Sequence, residues 1–424
     1  MRSLCSCLFQ GLFLLLAIPG ATAGNSESSG HPRSNLQHTL SKAQDGDVVV
    51  LPGGTYTGNF EIRSSIVLRS AGDATLTSAG RGTVIRITAP NVRIEGLRFR
   101  DSGTNISERD SCIMVEAPAS GATIIDNDFQ ACEFAVWVAS APKARIENNT
   151  IVGTRQPIVS DRGNSLYLFN TVGTLAKGNR ISGGRDGIYI ANSDHVSIVG
   201  NRMRDTRFGI HFMYNDDCTV VGNTTTNSSV GAAIMYSKRI KLEENSFQGG
   251  RRHGLLLRGV LHSDVIGNHT SESEDGLFLG GSYFNRIRDN GFYRNGIGIV
   301  ITSQSDDNQV VDNDFVGNRL QAKFVGSRSL HWGQEGRGNY WSGYVGWDSD
   351  RNGVGNQPYY ATNLGNWLVF TFPVLRLVLE SPSMTLLRRV ESQFPVLRRA
   401  ALIDDFPLMK PAKPPPGRAS FTTR

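Results

Sequence analysis

An asparagine recurs at nearly constant spacing through the second half of the chain. Seven asparagines stand 22 or 23 residues apart, at Asn179, Asn201, Asn223, Asn245, Asn268, Asn290 and Asn313. Eight or nine residues after each of the first six comes a glycine, at Gly187, Gly209, Gly231, Gly254, Gly276 and Gly298. A fixed period of this length is typical of a solenoid built from one supersecondary unit per repeat.

The residues after each glycine alternate between apolar and other types. In the coil that follows Gly209, Ile210 and Phe212 flank His211. A period of two indicates strands, and three short strands with three turns fill about 22 residues. The sequence therefore predicts an all-β, right-handed parallel β-helix with coils about 4.8 Å apart. We expect the asparagines to form a hydrogen-bonded ladder and the glycines to occupy turns that need a positive φ.

The two ends of the predicted β-helix differ in composition from its middle. The first residues have a basic start, an apolar core and an A-x-A site, which together indicate a secretory signal. A short helix near Asn35 is expected to cap the open edge of the first coil. The predicted divisions are a signal peptide at 1–23, a disordered stretch at 24–33, the β-helix at 34–330, an aromatic and acidic segment at 331–360, an apolar segment at 361–410 and a disordered tail at 411–424.

The charge and cysteine content narrow the class of protein. A net charge of +6 is mild and spread along the chain, so nucleic-acid binding is not expected. The exported chain keeps three cysteines, Cys112, Cys132 and Cys218. In the predicted register Cys112 lies beside Ala135, three positions past Cys132, which places the first two cysteines beyond easy disulfide reach. Isolated thiols are therefore predicted.

The strands after Gly209 and Gly231 carry the strongest candidate for a binding site. Where Ile210 and Phe212 point inward, His211 and Met213 point outward, and Met235 stacks on Met213 from the next coil. Imidazole and thioether groups suit Cu(I). The sequence predicts a copper site at these three residues; the alternative is an apolar patch beneath a loop or the C-terminal segment.

Two tyrosines extend this surface. Tyr214 and Tyr236 follow the two methionines and are also 22 residues apart, so their side chains are expected to stack. We expect this aromatic pair to contact a partner.

An acidic loop follows the β-helix. Oxygen-bearing side chains stand at positions 1, 3, 5 and 9 of an EF-hand-like sequence, at Asp348, Asp350, Asn352 and Asn356. The twelfth position is a tyrosine and not the usual glutamate. A structural Ca²⁺ site and an Asx-rich turn without an ion are the two interpretations.

Many parallel β-helices act on polysaccharides, so a secreted lyase, epimerase or polysaccharide binder is the alternative function. Such chemistry needs carboxylate pairs on one outer face. The nearest acidic pairs fall in turns, and the outward row that begins at Tyr189 and His211 becomes apolar at Leu256 and Phe278. Polysaccharide catalysis is therefore not expected.

Several motifs together resemble the NosD family of periplasmic accessory proteins, which have β-helices of the carbohydrate-binding and sugar-hydrolase (CASH) type. The resemblance covers nearly the whole exported chain. The motifs that carry it lie at residues 209–214, 233–237, 338–344, 346–350, 394–397 and 405–409.

The resemblance implies a non-enzymatic role, in maturing the copper site of nitrous-oxide reductase. NosD-like proteins work in the periplasm with an ABC transporter, made of a NosF-like ATPase and a NosY-like membrane subunit, and with a NosL-like copper lipoprotein. The resemblance supports Cu(I) binding at His211, Met213 and Met235, and contact with the membrane only through partners. It also implies that apolar C-terminal residues dock on the transporter, among them Trp367, Phe370, Phe372, Phe394 and Phe406.

Overall fold

The structure is a computed structural model of the whole chain. The residues it describes are 35–154, 156–302, 304–326, 329–361 and 402–412, with a few single positions between 362 and 401. The predicted signal peptide and the predicted disordered stretch at 24–33 lie outside the described residues, so neither prediction is tested. Within the described residues, no helix is long and apolar enough to cross a membrane.

Three parallel sheets wind into a β-solenoid, because each coil contributes one strand to each sheet. The first sheet contains β1 Val48–Leu51, β4 Val67–Ser70, β7 Arg93–Glu95, β10 Thr123–Ile125, β13 Arg145–Glu147, β16 Leu175–Lys177, β19 Ser197–Val199, β22 Thr219–Val221, β25 Lys241–Glu243, β28 Asp264–Ile266, β31 Arg286–Arg288 and β34 Gln309–Val311. The second contains β2 Gly54–Thr57, β5 Ala74–Thr77, β8 Arg98–Arg100, β11 Asp128–Cys132, β14 Thr150–Gly153, β17 Arg180–Ser182, β20 Arg202–Arg204, β23 Thr224–Thr226, β26 Ser246–Gln248, β29 His269–Ser271, β32 Gly291–Tyr293, β35 Asp314–Val316 and β38 Tyr340–Trp341. The third contains β3 Phe60–Ile62, β6 Ile85–Ile87, β9 Ser111–Val115, β12 Phe134–Ala139, β15 Leu166–Phe169, β18 Asp186–Ala191, β21 Phe208–Met213, β24 Val230–Met235, β27 His253–Arg258, β30 Asp275–Gly280, β33 Ile297–Thr302 and β36 Leu320–Val325. The predicted all-β solenoid with coils of about 22 residues is confirmed.

The asparagine ladder forms as predicted. Asn201 is fully buried, and its Oδ1 accepts hydrogen bonds from the backbone N (3.0 Å) and the Nδ2 (2.9 Å) of Asn179. Its own Nδ2 donates to the backbone oxygen of Ala176 at 2.9 Å. The same pattern runs from Asn127 to Asn339. Each buried amide therefore has both donors and acceptors satisfied, which avoids the 1–3 kcal/mol or so that an unpaired buried polar group costs.

The periodic glycines have a different role from the predicted one. Gly209 and Gly231 do not have a positive φ, so the prediction of left-handed turns was wrong for this series. A Cβ on Gly231 would lie 2.4 Å from the carbonyl oxygen of Gly254 and 2.6 Å from Cβ of Phe247. Glycine is needed because successive backbones and the core side chains of the second sheet approach too closely for any side chain.

A helix covers the N-terminal end of the solenoid. Helix α1 (Asn35–Lys42) buries Leu36 and Leu40, worth about 1.5–3 kcal/mol each. Gln37 donates from Nε2 to the carbonyl oxygen of Glu61 and accepts from the Glu61 backbone N through Oε1. The helix thus satisfies part of the edge strand β3, as a cap must.

A small sheet covers the C-terminal end. Strand β40 (Leu402–Asp404) pairs parallel with β37 (Leu330–Trp332) and antiparallel with β39 (Tyr359–Tyr360). Beyond it, the backbone N of Ala412 donates to Asp314 at 2.7 Å. Part of the segment expected to dock on a partner, and the first residues of the expected tail, therefore pack on the solenoid itself.

The cysteine prediction was wrong. Cys112 and Cys132 form a disulfide, with their Cα atoms 5.7 Å apart. The offset along the sequence overestimated their separation because β11 is bulged near Gln130 and the chain turns a corner at Glu133 before β12 begins. Cys218 is a buried free thiol, and burial raises its pKa to about 12.

Candidate functional site

The outer face of the third sheet carries a row of side chains in register from coil to coil. His211 follows three aromatic residues in this row and precedes a mainly apolar stretch. From the N-terminal side the row reads Met114, Trp137, Tyr167, Tyr189, His211, Ala233, Leu256, Phe278, Val300 and Lys323.

His211 is held in place by a buried carboxylate. Its Nδ1 lies 2.9 Å from Oδ2 of Asp186, which is 1% exposed, and its ring contacts Tyr189 and Phe208. Arg207 donates two hydrogen bonds, of 2.8 and 2.6 Å, to the same carboxylate. Burial raises the pKa of Asp186, but the hydrogen bonds from His211 and Arg207 outweigh it and the pKa is lowered. Asp186 is therefore ionised and holds the imidazole from one side.

The other ring nitrogen of His211 is buried and has no hydrogen-bond partner among the described residues. An ionised carboxylate can only accept, so in the neutral ring Nδ1 carries the proton and Nε2 keeps its lone pair. A histidine that donates to a carboxylate through one nitrogen and leaves the other free is the usual arrangement of a metal ligand. The side chain is only 8% exposed, so an ion would have to move the groups that cover it.

The two methionines lie on the same patch. Met213 pairs with Met235 across β21 and β24, and His211 pairs with Ala233. Outward side chains are about 5 Å apart across neighbouring strands and about 7 Å apart along one strand. Ala233 is the fourth outward residue of this group of two pairs, and its small side chain leaves space between the other three. The structure thus brings the three predicted copper ligands onto one patch, while Met235 also packs against the buried cluster around Leu256.

The donor set of this patch is unlike that of a hard-metal site. Within the described part of the chain, no three His, Cys, Asp or Glu side chains are grouped so that they could hold a metal ion. One imidazole and two thioethers are soft or borderline ligands, which fit Cu(I) and not Mg²⁺ or Ca²⁺. The orphaned Nε2 of His211 is the observation by which these residues fit copper.

Tyr214 and Tyr236 stack as expected. Their ring centroids are 5.3 Å apart at an angle of 15°, and the residues are 57% and 46% exposed. Both have a positive φ, of 59° and 50°. This conformation is uncommon for tyrosine and turns both rings outward at the corner after the third sheet. The pair is a surface feature beside the methionines, available for contact with a partner.

The acidic loop is held by its own hydrogen bonds. Asp348 accepts from the backbone N of Asn352 and of Gly353, at 3.1 and 2.9 Å. Asp350 accepts from the side chain of Asn352, and Asn356 accepts from the backbone N of Ser349. Desolvation raises the pKa of Asp348, but these backbone donors outweigh it and lower the pKa. These are the contacts of an Asx-rich turn, and they lend no support to the Ca²⁺ interpretation.

The predicted docking residues are mostly not described. Trp367, Phe370, Phe372 and Phe394 lie outside the described residues. Phe406 is 39% exposed and follows β40, and its backbone N donates to Asp404 at 3.1 Å.

Two residues of the site were not predicted from the sequence. Asp186 stands 25 residues before His211 and reaches it only because successive coils stack, whereas Arg207 lies in the same coil as His211 and binds the Asp186 carboxylate. Asp186 directly precedes Gly187, in a row where the next two coils have Phe208 and Val230. The row continues to His253 and Asp275. A carboxylate where the next two coils carry apolar residues is the signal by which Asp186 could have been found.

Comparison with known proteins gives concordant results. Residues 152–346 match the family model described as "Periplasmic copper-binding protein (NosD)". A protein of Pseudomonas aeruginosa named "Probable ABC transporter binding protein NosD" is 45% identical over 380 residues, which cover 86% of this chain and 89% of that protein. A Stutzerimonas stutzeri protein of the same name is 40% identical over 375 residues, covering 85% and 86%.

Solved structures share the fold at low identity. The surface adhesin PfbA of Streptococcus pneumoniae has a TM-score of 0.52 and 13% identity, over 75% of this chain and 91% of that one. A family 28 exopolygalacturonase of Yersinia enterocolitica has a TM-score of 0.53 and 10% identity, over 68% and 73%. An adhesin and an enzyme thus share the fold, which therefore does not indicate a function. The sequence identity to the curated relatives shows the family: this chain belongs to the NosD family.

Proposed function

We propose that this protein is a periplasmic binding protein that works with an ABC transporter in assembling the copper site of nitrous-oxide reductase. Cu(I) is its cargo and not a resident cofactor. The partners proposed are a NosY-like membrane subunit with its NosF-like ATPase, a NosL-like copper lipoprotein and the reductase. A binding role is favoured over catalysis because the named relatives are binding proteins and the outer row around His211 is apolar.

One observation carries the copper proposal: the Nε2 of His211 is buried without a partner in the described part of the chain, and Asp186 holds the other ring nitrogen. Met213 and Met235 would complete a three-coordinate soft site with it. Thioethers are neutral and polarisable, so such a site favours Cu(I) over the harder divalent ions. Asp186 would fix the ring orientation and raise the basicity of Nε2. A small set of neutral ligands suits transient binding, because a carrier must release its ion to the next protein.

A Cu(I) competition titration against a chromophoric chelator tests this site. His211→Ala, Met213→Ala and Met235→Ala are expected to lower Cu(I) affinity, and the triple variant to abolish binding at this site. Asp186→Asn is expected to weaken binding by about tenfold, as loss of a carboxylate behind a histidine ligand usually does. Thermal unfolding of each variant checks that the loss of affinity is not a loss of fold.

The chain offers a matched control. His253 lies on the same sheet face with its Nδ1 2.9 Å from Asp275, but its strand ends in Arg258 at the position where β21 and β24 end in a methionine. Its alanine variant is expected to keep wild-type Cu(I) affinity. Wild-type affinity in the triple variant, or an equal loss in His253→Ala, would contradict the assignment.

The docking proposal concerns the segment between β39 and β40. Its ends are adjacent, since the backbone N of Ala361 donates to Leu402 at 2.9 Å. The segment therefore leaves and rejoins the solenoid at one place. We propose that it contacts the transporter's membrane subunit through its apolar residues, and pull-down of that subunit by a variant lacking the segment measures this.

A further inference from the structure

A recess lies beside the stacked tyrosines, on the side towards the C-terminal coils. Its volume is about 320 Å³, and it is lined by Tyr236, Arg258, Gly259, Phe278, Gly280, Gly281, Thr302 and Gln304. Three of the lining residues are glycines, so missing side chains create the space. Its walls offer the aromatic rings of Tyr236 and Phe278, the guanidinium of Arg258, and the hydroxyl and amide groups of Thr302 and Gln304.

The recess interrupts a column of corner residues. Successive coils place Asn192, Tyr214, Tyr236, Gly259 and Gly281 at the same turn position, all with a positive φ. Tyr236 lies directly against the first glycine, because a Cβ on Gly259 would be 2.8 Å from its Cδ1. At Gly281 a Cβ would meet no atom within 4 Å. A planar group entering here would continue the stack that Tyr214 and Tyr236 begin.

The cation at the recess lies next to the copper patch. Arg258 pairs in register with Met235 and is exposed. Among the described residues, no carboxylate lies within ion-pair distance of it, whereas the nearby Arg239 and Arg286 each have an aspartate. A bound group that stacks on Tyr236 would place an attached carboxylate near this guanidinium.

We propose that the recess binds an aromatic side chain adjacent to an acidic side chain on a partner protein. The proposal rests on the proposed function, in which a protein must approach the patch to deliver or accept Cu(I). A partner bound here would contact the coil next to that of Met235, so the recess would fix the position of the partner relative to the proposed copper ligands. An arginine with no carboxylate beside it, at the mouth of an aromatic-walled recess, complements an acidic and aromatic pair.

The test uses the full-length exported protein and blocked dipeptides whose only charge is a side chain. Acetyl-Asp-Trp-amide and acetyl-Asn-Trp-amide are compared by ligand-observed NMR titration. The acidic peptide is expected to bind about fivefold more tightly, the usual upper effect of an exposed ion pair. Arg258→Gln is expected to remove this preference while both peptides still bind. Equal binding of the two peptides to the wild-type protein would refute the role of Arg258.

A second variant fills the recess without disturbing the fold. Gly281→Asn adds a side chain at a positive-φ position where Asn192 stands in the same column. It is expected to abolish binding of both peptides. Gly222→Asn is the matched control, since Gly222 also has a positive φ with no atom near its missing Cβ, at a corner where another coil has Asn148. Peptide binding by Gly281→Asn that equals that of Gly222→Asn would overturn the proposal.

Cu(I) titration of the same variants separates this inference from the copper site. Gly281→Asn and Arg258→Gln leave His211, Met213 and Met235 in place, so their Cu(I) affinity is expected to equal that of the wild type. Loss of peptide binding with unchanged Cu(I) affinity supports the recess as a separate site. Peptide binding by a wild-type protein that does not bind Cu(I) would leave the recess standing and remove the copper assignment.

Discussion

Two buried acidic residues of this solenoid behave in opposite ways. Asp186 is 1% exposed and is satisfied by His211 and Arg207, so its pKa is lowered although burial alone would raise it. Glu133 is equally buried, but no side chain that the structure describes donates to it, and burial raises its pKa to about 7. The backbone of Gly163 lowers that pKa and Asp110 raises it, both as smaller effects. A charged partner, and not depth, decides the ionisation of each carboxyl.

Glu133 should make the protein less stable as the pH rises. When the pKa of a carboxyl is higher in the folded state than in the unfolded state, its contribution to stability is fully present only at a pH below the unfolded-state pKa of about 4.3. That contribution is lost progressively as the pH rises through the folded-state pKa of about 7. Glu133→Gln should therefore stabilise the protein at pH 8, by up to about 3 kcal/mol, and should have little effect near pH 4.5. Thermal unfolding at the two pH values measures this.

The exposed residue Glu335 supplies a control for that experiment. Glu335→Gln is expected to unfold at the wild-type temperature at both pH values, because its side chain is in water. A Glu133→Gln variant that is no more stable than the wild type at pH 8 would show that the ionised Glu133 carboxylate does not destabilise the fold.

The strands near the C-terminus show how a ladder is terminated. The last ladder asparagine, Asn339, donates from its backbone N and its Nδ2 to Asp404, at 2.7 and 3.1 Å. Nε1 of Trp341 donates to the same oxygen at 2.8 Å. Asp404 is fully buried. An aspartate from another part of the chain thus supplies the acceptor that a further coil would have supplied, and β40 closes the solenoid.

Removal of that acceptor should destabilise the end of the solenoid. Asp404→Ala leaves three buried N–H donors of Asn339 and Trp341 unpaired, at a cost of about 3 kcal/mol or more. Hydrogen exchange should show loss of protection first in β38 and β35, with a lower unfolding temperature. Asp405→Ala removes only an exposed contact with His331 and should cost less than about 1 kcal/mol. Equal effects of the two variants would rule out a terminating role for Asp404.

At the level of the molecule, the described residues form stacked coils with a small three-stranded sheet at the C-terminal end. Residues 402–412 pack on the solenoid, so the docking proposal concerns the residues between Ala361 and Leu402. Truncation after Gly365 would remove β40 and Asp404 together with that part. Loss of partner binding in such a truncation would then reflect damage to the fold as well as loss of contacts.

A precise excision separates docking from folding. Ala361 and Leu402 are opposite each other at the ends of an antiparallel pair, so an Asn-Gly turn can join them in place of residues 362–401. This variant should keep the wild-type circular dichroism spectrum and unfolding temperature, whereas truncation after Gly365 should lower that temperature. The excised variant should also fail to retain the transporter's membrane subunit in a pull-down. Wild-type retention by the excised variant would refute the docking proposal.

The repeat was predictable because it is local and periodic. Each coil of 22 residues returns the chain to the same side, so the spacing alone placed Met213 beside Met235 and Tyr214 beside Tyr236. The asparagine ladder follows for the same reason. The family resemblance could likewise be found from the motifs, and the curated relatives confirm the family.

Contacts across corners and between distant segments depended on the three-dimensional path of the chain. The Cys112–Cys132 disulfide forms where the chain bends, and Asp186 reaches His211 from the preceding coil. The periodic glycines from Gly187 to Gly298 are required because neighbouring backbones are close, and not because of a turn conformation. Asp404 joins the ladder from 65 residues beyond Asn339. Periodic spacing specifies register along the sheets, but a bent or returning backbone sets distances that no count of residues contains.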